Sequence, residues 1–316
     1  MKKILNGCKK LARRVFCDSD GKMRTVWKIL LAAAIYAAAF YAVLYGLGAL
    51  FGLLFDAWGL TNSNLGYAPK WAQVVVCTHT DFCYALAYLI SAGALMLLTR
   101  KTEKPQSGAL WKGMALGLVL GGGLTLAALI FDSARFEISI REPQLSIQTL
   151  IAFALIVVGK FSHEVLCRRL IYGLYRKKQV TAALISAAVT TLLIGEWTVV
   201  GVLSGFLLGF VACALYERGG LLASTAFQVT WTAWTTLLFG FPGMTANATP
   251  VYALYHVSDA WLTGGNASVL SGMWCLMVLL IAVLILYRSN IQATRRSLKA
   301  FHAAVQKSRA KAEKHK

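Results

Sequence analysis

Residues 26–55 read VWKILLAAAIYAAAFYAVLYGLGALFGLLF, an apolar run whose single charge, Lys28, stands near its start. As a helix rising 1.5 Å per residue it reaches about 45 Å, more than the roughly 30 Å hydrocarbon core of a bilayer. A soluble helix buries one stripe and leaves the other face polar, but this run is apolar all the way round. Comparable runs follow at 74–98, 110–131, from 145 into the basic segment ending at 178, and at 180–194, 199–216, 221–239 and 269–287. Lipid offers no hydrogen bonds to the backbone, so spans of this kind must be helices. The fold class expected is all-α, a polytopic integral membrane bundle of about eight transmembrane helices.

Composition agrees. Of 316 residues, 58% are hydrophobic and only 14% charged, and the mean hydropathy is +0.61, outside the range of ordinary soluble domains. The net charge of +19 gathers at the two ends and in short connections. A nucleic-acid binder would distribute its basic residues over a soluble fold, so no nucleic-acid partner is expected. The first apolar run starts late, is too long for a signal-peptide core and lacks a small-residue cleavage site. Seven cysteines (8, 17, 77, 83, 167, 213, 275) contain no C-x-x-C pair and fall mostly in or beside apolar runs, where a thiol serves as a small hydrophobe.

Three regions follow: a basic leader at 1–25, a transmembrane domain at 26–288 and a basic tail at 289–316. Short cytoplasmic connections are rich in Lys and Arg. The leader carries eight such residues up to Arg24, the second-to-third connection carries Arg100, Lys101, Lys104 and Lys112, and Arg176, Lys177 and Lys178 follow the fourth span. The stretch 241–267 carries none. Both termini are therefore expected in the cytoplasm of a multi-pass protein of the cell membrane. In the tail, Ile291, Leu298, Phe301 and Val305 fall near one helical face. That pattern suits an amphipathic helix on anionic lipid headgroups; a solvated basic tail is the other reading.

Ionisable groups inside spans cost on the order of 3 kcal/mol or more at the bilayer centre and mark functional candidates. Asp56, Glu217 and Arg218 sit at span ends or turns, and His79 and Asp81 near the outer start of the second span. The remaining group is His163, Glu164, Arg168 and Arg169 on the fourth helix, with Glu196 at the end of the fifth. Glu164 and Arg168 stand four residues apart, one above the other on one face, so an intrahelical ion pair is expected. His163 points about 100° away from Glu164. On the seventh span Gln228 and Thr232 share a face, where uncharged polar groups commonly join helices. Each of these signals taken singly also fits a structural role.

Taken in order, the segments GKMRTVWKILL (21–31), HEVLCRRLIYGLY (163–175), LLIGE (192–196) and STAFQVTWT (224–232) resemble the CAAX-processing prenyl-protease and bacteriocin-processing intramembrane proteases. The family's motifs are EExxxR, FxxxH and HxxxN. The resemblance implies a bundle of about eight helices around a polar cavity, where glutamate and histidine activate a water against a membrane-associated peptide and polar neighbours stabilise the oxyanion. It places His163, Glu164, Arg168, Glu196, Gln228 and Thr232 at the motif positions, and only Glu164 and Arg168 keep the family's identities. Two readings follow. Either His163 and Glu196 form an acid–base pair with exchanged members, or the scaffold persists as a noncatalytic membrane protein. Gln228 does not titrate and so cannot replace the histidine as a base. Nothing in the spacing identifies a cofactor or a metal.

Overall fold

The computed structural model describes residues 24–60, 69–99, 108–133, 139–140, 147–175, 178–241, 251, 254–255, 260–264 and 268–288. The leader and the tail, with its expected amphipathic face, lie outside these. The helices are α1 (Thr25–Ala57), α2 (Lys70–Thr99), α3 (Ala109–Ser133), α4 (Ile147–Glu164), α5 (Gln179–Ile194), α6 (Val199–Thr232), a one-turn α7 (Ala260–Thr263) and α8 (Met273–Leu286). α4 runs on without a break into a π-helical segment, Val165–Tyr172, and α6 into a second, Ala233–Leu238. A two-residue antiparallel ladder pairs β1 (Ser139–Ile140) with β2 (Leu254–Tyr255). Its first strand falls in RFEISIR (135–141), where polar and apolar residues alternate.

Five of these helices are long and apolar enough to cross a membrane, the longest being the 40-residue stretch Val199–Leu238, and two shorter apolar helices are Gln179–Ile194 and Met273–Leu286. Forty residues of straight helix would reach about 60 Å, twice a hydrocarbon core. The stretch does not run straight. Gly220 has φ 70° and ψ −165°, a conformation open in practice only to glycine, and it divides α6 into limbs at 199–219 and 221–238.

Packing shows that the limbs run in opposite directions. Arg168 meets Ser186 and Thr190 while Tyr172 packs near Ala182, so α4 and α5 are antiparallel. A Cβ on Gly209 would lie 2.6 Å from Ala187 Cα, and one on Gly205 3.4 Å from Thr191 Cγ2, so α5 and the first limb are antiparallel too. Ala152 and Ile156 cluster with Leu237, while Phe161 shares a wall with Leu222, so the second limb opposes α4 and hence the first limb. The described helices fall on the apolar runs of the sequence to within a few residues at most ends.

Many large apolar side chains stand exposed on the bundle's outside, among them Val199, Leu97, Leu53, Val119 and Ile285. In water they would make the protein insoluble; in lipid they are solvated. The interior is built from a cluster uniting α3, both limbs of α6 and α8 (Phe227, Trp231, Leu208, Val211, Leu279) and a second uniting α1, α2 and the π segment of α4 (Ala32, Tyr36, Leu95, Val165, Ile171). Small residues let helices touch. A Cβ on Gly113 of α3 would overlap the Ala223 carbonyl and lie 3.0 Å from Ala226 Cβ, so only glycine admits that crossing.

Candidate functional site

The polar residues of the interior start from α4. Lys160, Glu164 and Arg168 recur every four residues, and all three are buried, Glu164 at 2% exposure and Arg168 at 0%. The expected pair forms: Arg168 Nε lies 3.4 Å from Glu164 Oε2. The contact is an ion pair without hydrogen-bond geometry, so Glu164 Oε2 and Arg168 Nε and Nη2 have no hydrogen-bond partner among the described residues.

The other edge of the guanidinium is held firmly. Arg168 Nη1 donates to Thr190 Oγ1 at 3.0 Å and to the Ser186 hydroxyl, with the Ser186 carbonyl at 3.4 Å. Ser186 Oγ in turn donates to the Cys167 carbonyl at 2.7 Å, and Thr190 Oγ1 to the Ser186 carbonyl at 2.9 Å. The Cys167 carbonyl lies within the π segment, where widened backbone spacing leaves acceptors for side chains. α5 thus fixes both the cation and the helix carrying it.

His163 points elsewhere, as its 100° offset requires. Its ring meets Tyr88 of α2 edge-on, centroids 5.3 Å apart. Beside it, Ser162 Oγ donates to the Tyr88 carbonyl at 2.9 Å and bonds Tyr36 of α1 at 2.8 Å. This seam joins α4 to the α1–α2 hairpin.

Glu196 lies past the end of α5. Gly195, at φ 73°, caps that helix one turn beyond Thr190, and Glu196 Oε1 accepts from Ser271 at 2.9 Å. Thr198, the N-cap of α6, bonds the same Ser271 hydroxyl at 2.6 Å. No hydrogen bond or ion pair joins His163 to Glu196 among the described residues.

On the second limb of α6, Leu221, Thr225, Gln228 and Thr232 share one face. Leu221 packs against the clusters of Leu170, Ile171 and Tyr172, which turns that face toward α4. Gln228 and Thr232 are both buried. The Thr232 carbonyl accepts from Thr236 Oγ1 at 2.7 Å, whereas the Gln228 amide has no hydrogen bond among the described residues.

Next to this face opens an apolar crevice of about 600 Å³ between α3, α4 and the second limb, walled by Met114, Leu118, Phe153, Val157, Phe161 and Val229. Thr225 also lines it, with a buried hydroxyl that has no hydrogen-bond partner among the described residues. The crevice begins one residue from Lys160 and three from Glu164 along α4.

Four contributors escaped the sequence reading. Ser186 and Thr190 sit in an Ala- and Thr-rich run where nothing distinguishes them, and the crevice depends on tertiary packing. Lys160 was legible: a lysine within an apolar span, four residues before Glu164, extends the pair to a triad. Among the described residues no group of three or more His, Cys, Asp and Glu side chains is arranged to hold a metal.

Comparison with curated proteins and comparison with solved structures each found no match. Residues 145–234 match the family described as Type II CAAX prenyl endopeptidase Rce1-like. That interval carries the triad, its α5 partners, Glu196 and the Gln228–Thr232 face. The match covers 90 of the 316 residues and supports a resemblance to CAAX-processing membrane proteases over that interval.

Proposed function

We propose that this chain is a non-hydrolytic member of the family, a multi-pass cell-membrane protein that holds an apolar, membrane-associated segment beside a buried polar layer. The observation that carries the reading is the engagement of Glu164. Its charged neighbours are Arg168 and Lys160, while His163 meets Tyr88 edge-on and Glu196 is bonded to Ser271 beyond the end of α5. A general base must reach the water it activates. Here the carboxylate on α4 is committed to a cation, and Gln228, at the motif position on the α6 face turned toward α4, carries an amide that does not titrate. The crevice of about 600 Å³ supplies the apolar receptacle.

Loop charge supports eight crossings with both termini in the cytoplasm and basic ends against anionic lipid headgroups. The test is cleavage of membrane-tethered and prenylated peptides by the purified full-length protein beside its Glu164→Gln variant. We expect intact peptide from both. Cleavage by the wild type that the variant loses would overturn the proposal and favour a working acid–base site.

A further inference from the structure

Tyr41 and Tyr45 stand where tyrosine is out of place. With Lys28 and Asp56 kept outside the hydrocarbon, any run of about 20 residues set between them on α1 includes both tyrosines. Tyrosines of membrane proteins gather instead at the two interfaces, where the hydroxyl meets water. These side chains are 52% and 71% exposed on the outside of the bundle, with their rings stacked 5.9 Å apart. Both make ring contacts, and neither hydroxyl is hydrogen-bonded among the described residues. Lipid tails offer no acceptor, and a hydroxyl without one is costly there.

The face that carries them has room for another helix. Ala34, Ala38, Tyr41, Tyr45, Gly48 and Gly52 are all exposed. Their spacing alternates four and three residues, the repeat of a seam along which two helices pack. α1 buries its opposite side, about 180° around the axis, where Ala32 and Tyr36 join the cluster of α2 and the π segment of α4. A Cβ on Gly48 or Gly52 would meet nothing within 4 Å, so neither glycine is there to admit a helix of its own bundle.

We infer that this face of α1 docks on the same face of a second copy of the chain, with the two tyrosine pairs hydrogen-bonded to each other within the bilayer. Every copy of a multi-pass protein enters the membrane in one orientation. A two-fold axis along the membrane normal therefore sets each seam residue opposite itself at equal depth. A phenol hydroxyl both donates and accepts, so a layer of tyrosines is its own complement and needs no other residue type across from it. The seam itself holds no other polar side chain. Alanine on one side of the tyrosine layer and glycine on the other let the two backbones close until the hydroxyls meet. α1 contributes nothing to the walls of the crevice between α3, α4 and the second limb, so pairing leaves that crevice open. The inference is independent of whether the chain hydrolyses a peptide.

The test is energy transfer between donor- and acceptor-labelled full-length protein in phosphatidylcholine liposomes, followed as lipid dilutes the protein. We expect a two-copy association. The double variant Tyr41→Phe/Tyr45→Phe removes two exposed oxygens and nothing that holds the bundle, and it should raise the dissociation constant at least tenfold. Gly48→Leu, placed in open space within its own bundle, should do the same by holding the seams apart. Leu53→Phe, exposed about 100° around the helix from Gly52, should leave the constant unchanged. Monomers at every protein-to-lipid ratio, transfer that fits only larger assemblies, an unchanged constant in the double variant or in Gly48→Leu, or equal weakening by Leu53→Phe overturns the inference.

Discussion

Substituting Glu164 by Gln keeps shape and volume but leaves Arg168, 0% exposed, facing an amide in place of a carboxylate. At the 3.4 Å separation of the pair, Coulomb's law with an effective dielectric of about 20 gives a gross attraction of about 5 kcal/mol. Hydrogen bonds from Arg168 to α5 survive the change, and the variant glutamine still presents an oxygen to Nε. A net loss of about 3 kcal/mol is expected, at the lower end for breaking a buried pair. Arg168→Met should cost as much, since Glu164 then remains buried with Lys160 alone. The double variant should lose less than the sum of the singles, because neither partner is left stranded. The assay is unfolding by SDS in detergent micelles, followed by maleimide capture of Cys167 and Cys213, both buried in the fold. Single variants that unfold at the wild-type midpoint, or a double variant whose loss equals the sum, would refute the reasoning.

Gly113→Ala should destabilise by about 1–3 kcal/mol through overpacking against Ala223, whereas Gly46→Ala, with nothing within 4 Å of the new Cβ, should be neutral or slightly stabilising in the same assay. Gly220→Ala should cost about 1–3 kcal/mol, because the reversal between limbs at φ 70° has no comfortable place for a side chain. Glu196→Gln, at a partly exposed site with one bond to Ser271, should change stability by under about 1 kcal/mol. Reporters fused after residue 288 and inside the 242–250 connection should report opposite sides of the membrane; the same side for both would remove the proposed topology.

The apolar runs made the helices legible because lipid imposes one rule on every crossing: enough hydrophobic residues in a row and no unpaired backbone. The reversal at 219–220 was legible for the same reason, since Glu217, Arg218 and two glycines interrupt the apolar pattern. Glu164 and Arg168 were found because charges within spans are rare and their four-residue spacing is diagnostic. The partners of Arg168 were not, because a serine and a threonine in a small-residue helix look alike whether they bond their own backbone or a neighbour's cation. Lys160 was passed over in a span otherwise read for its apolar length. Nor does any residue type announce a π segment: Val165–Tyr172 contains neither proline nor glycine.

That segment has a consequence for how the chain tolerates length changes. An α-helical turn closes on the fourth residue back and a π turn on the fifth, so a π stretch accommodates an additional residue relative to regular helix. Deleting one residue between Val165 and Tyr172 would let the backbone relax into ordinary pitch with the helix beyond it near its present angle, whereas inserting one would swing everything downstream by about 100° about the axis. Tyr172, whose hydroxyl now donates to Glu217, would turn away from the α6 reversal. Insertions here act as a rotary dial on the end of the bundle around the α6 reversal, whereas point substitutions in the same stretch leave its angular setting intact.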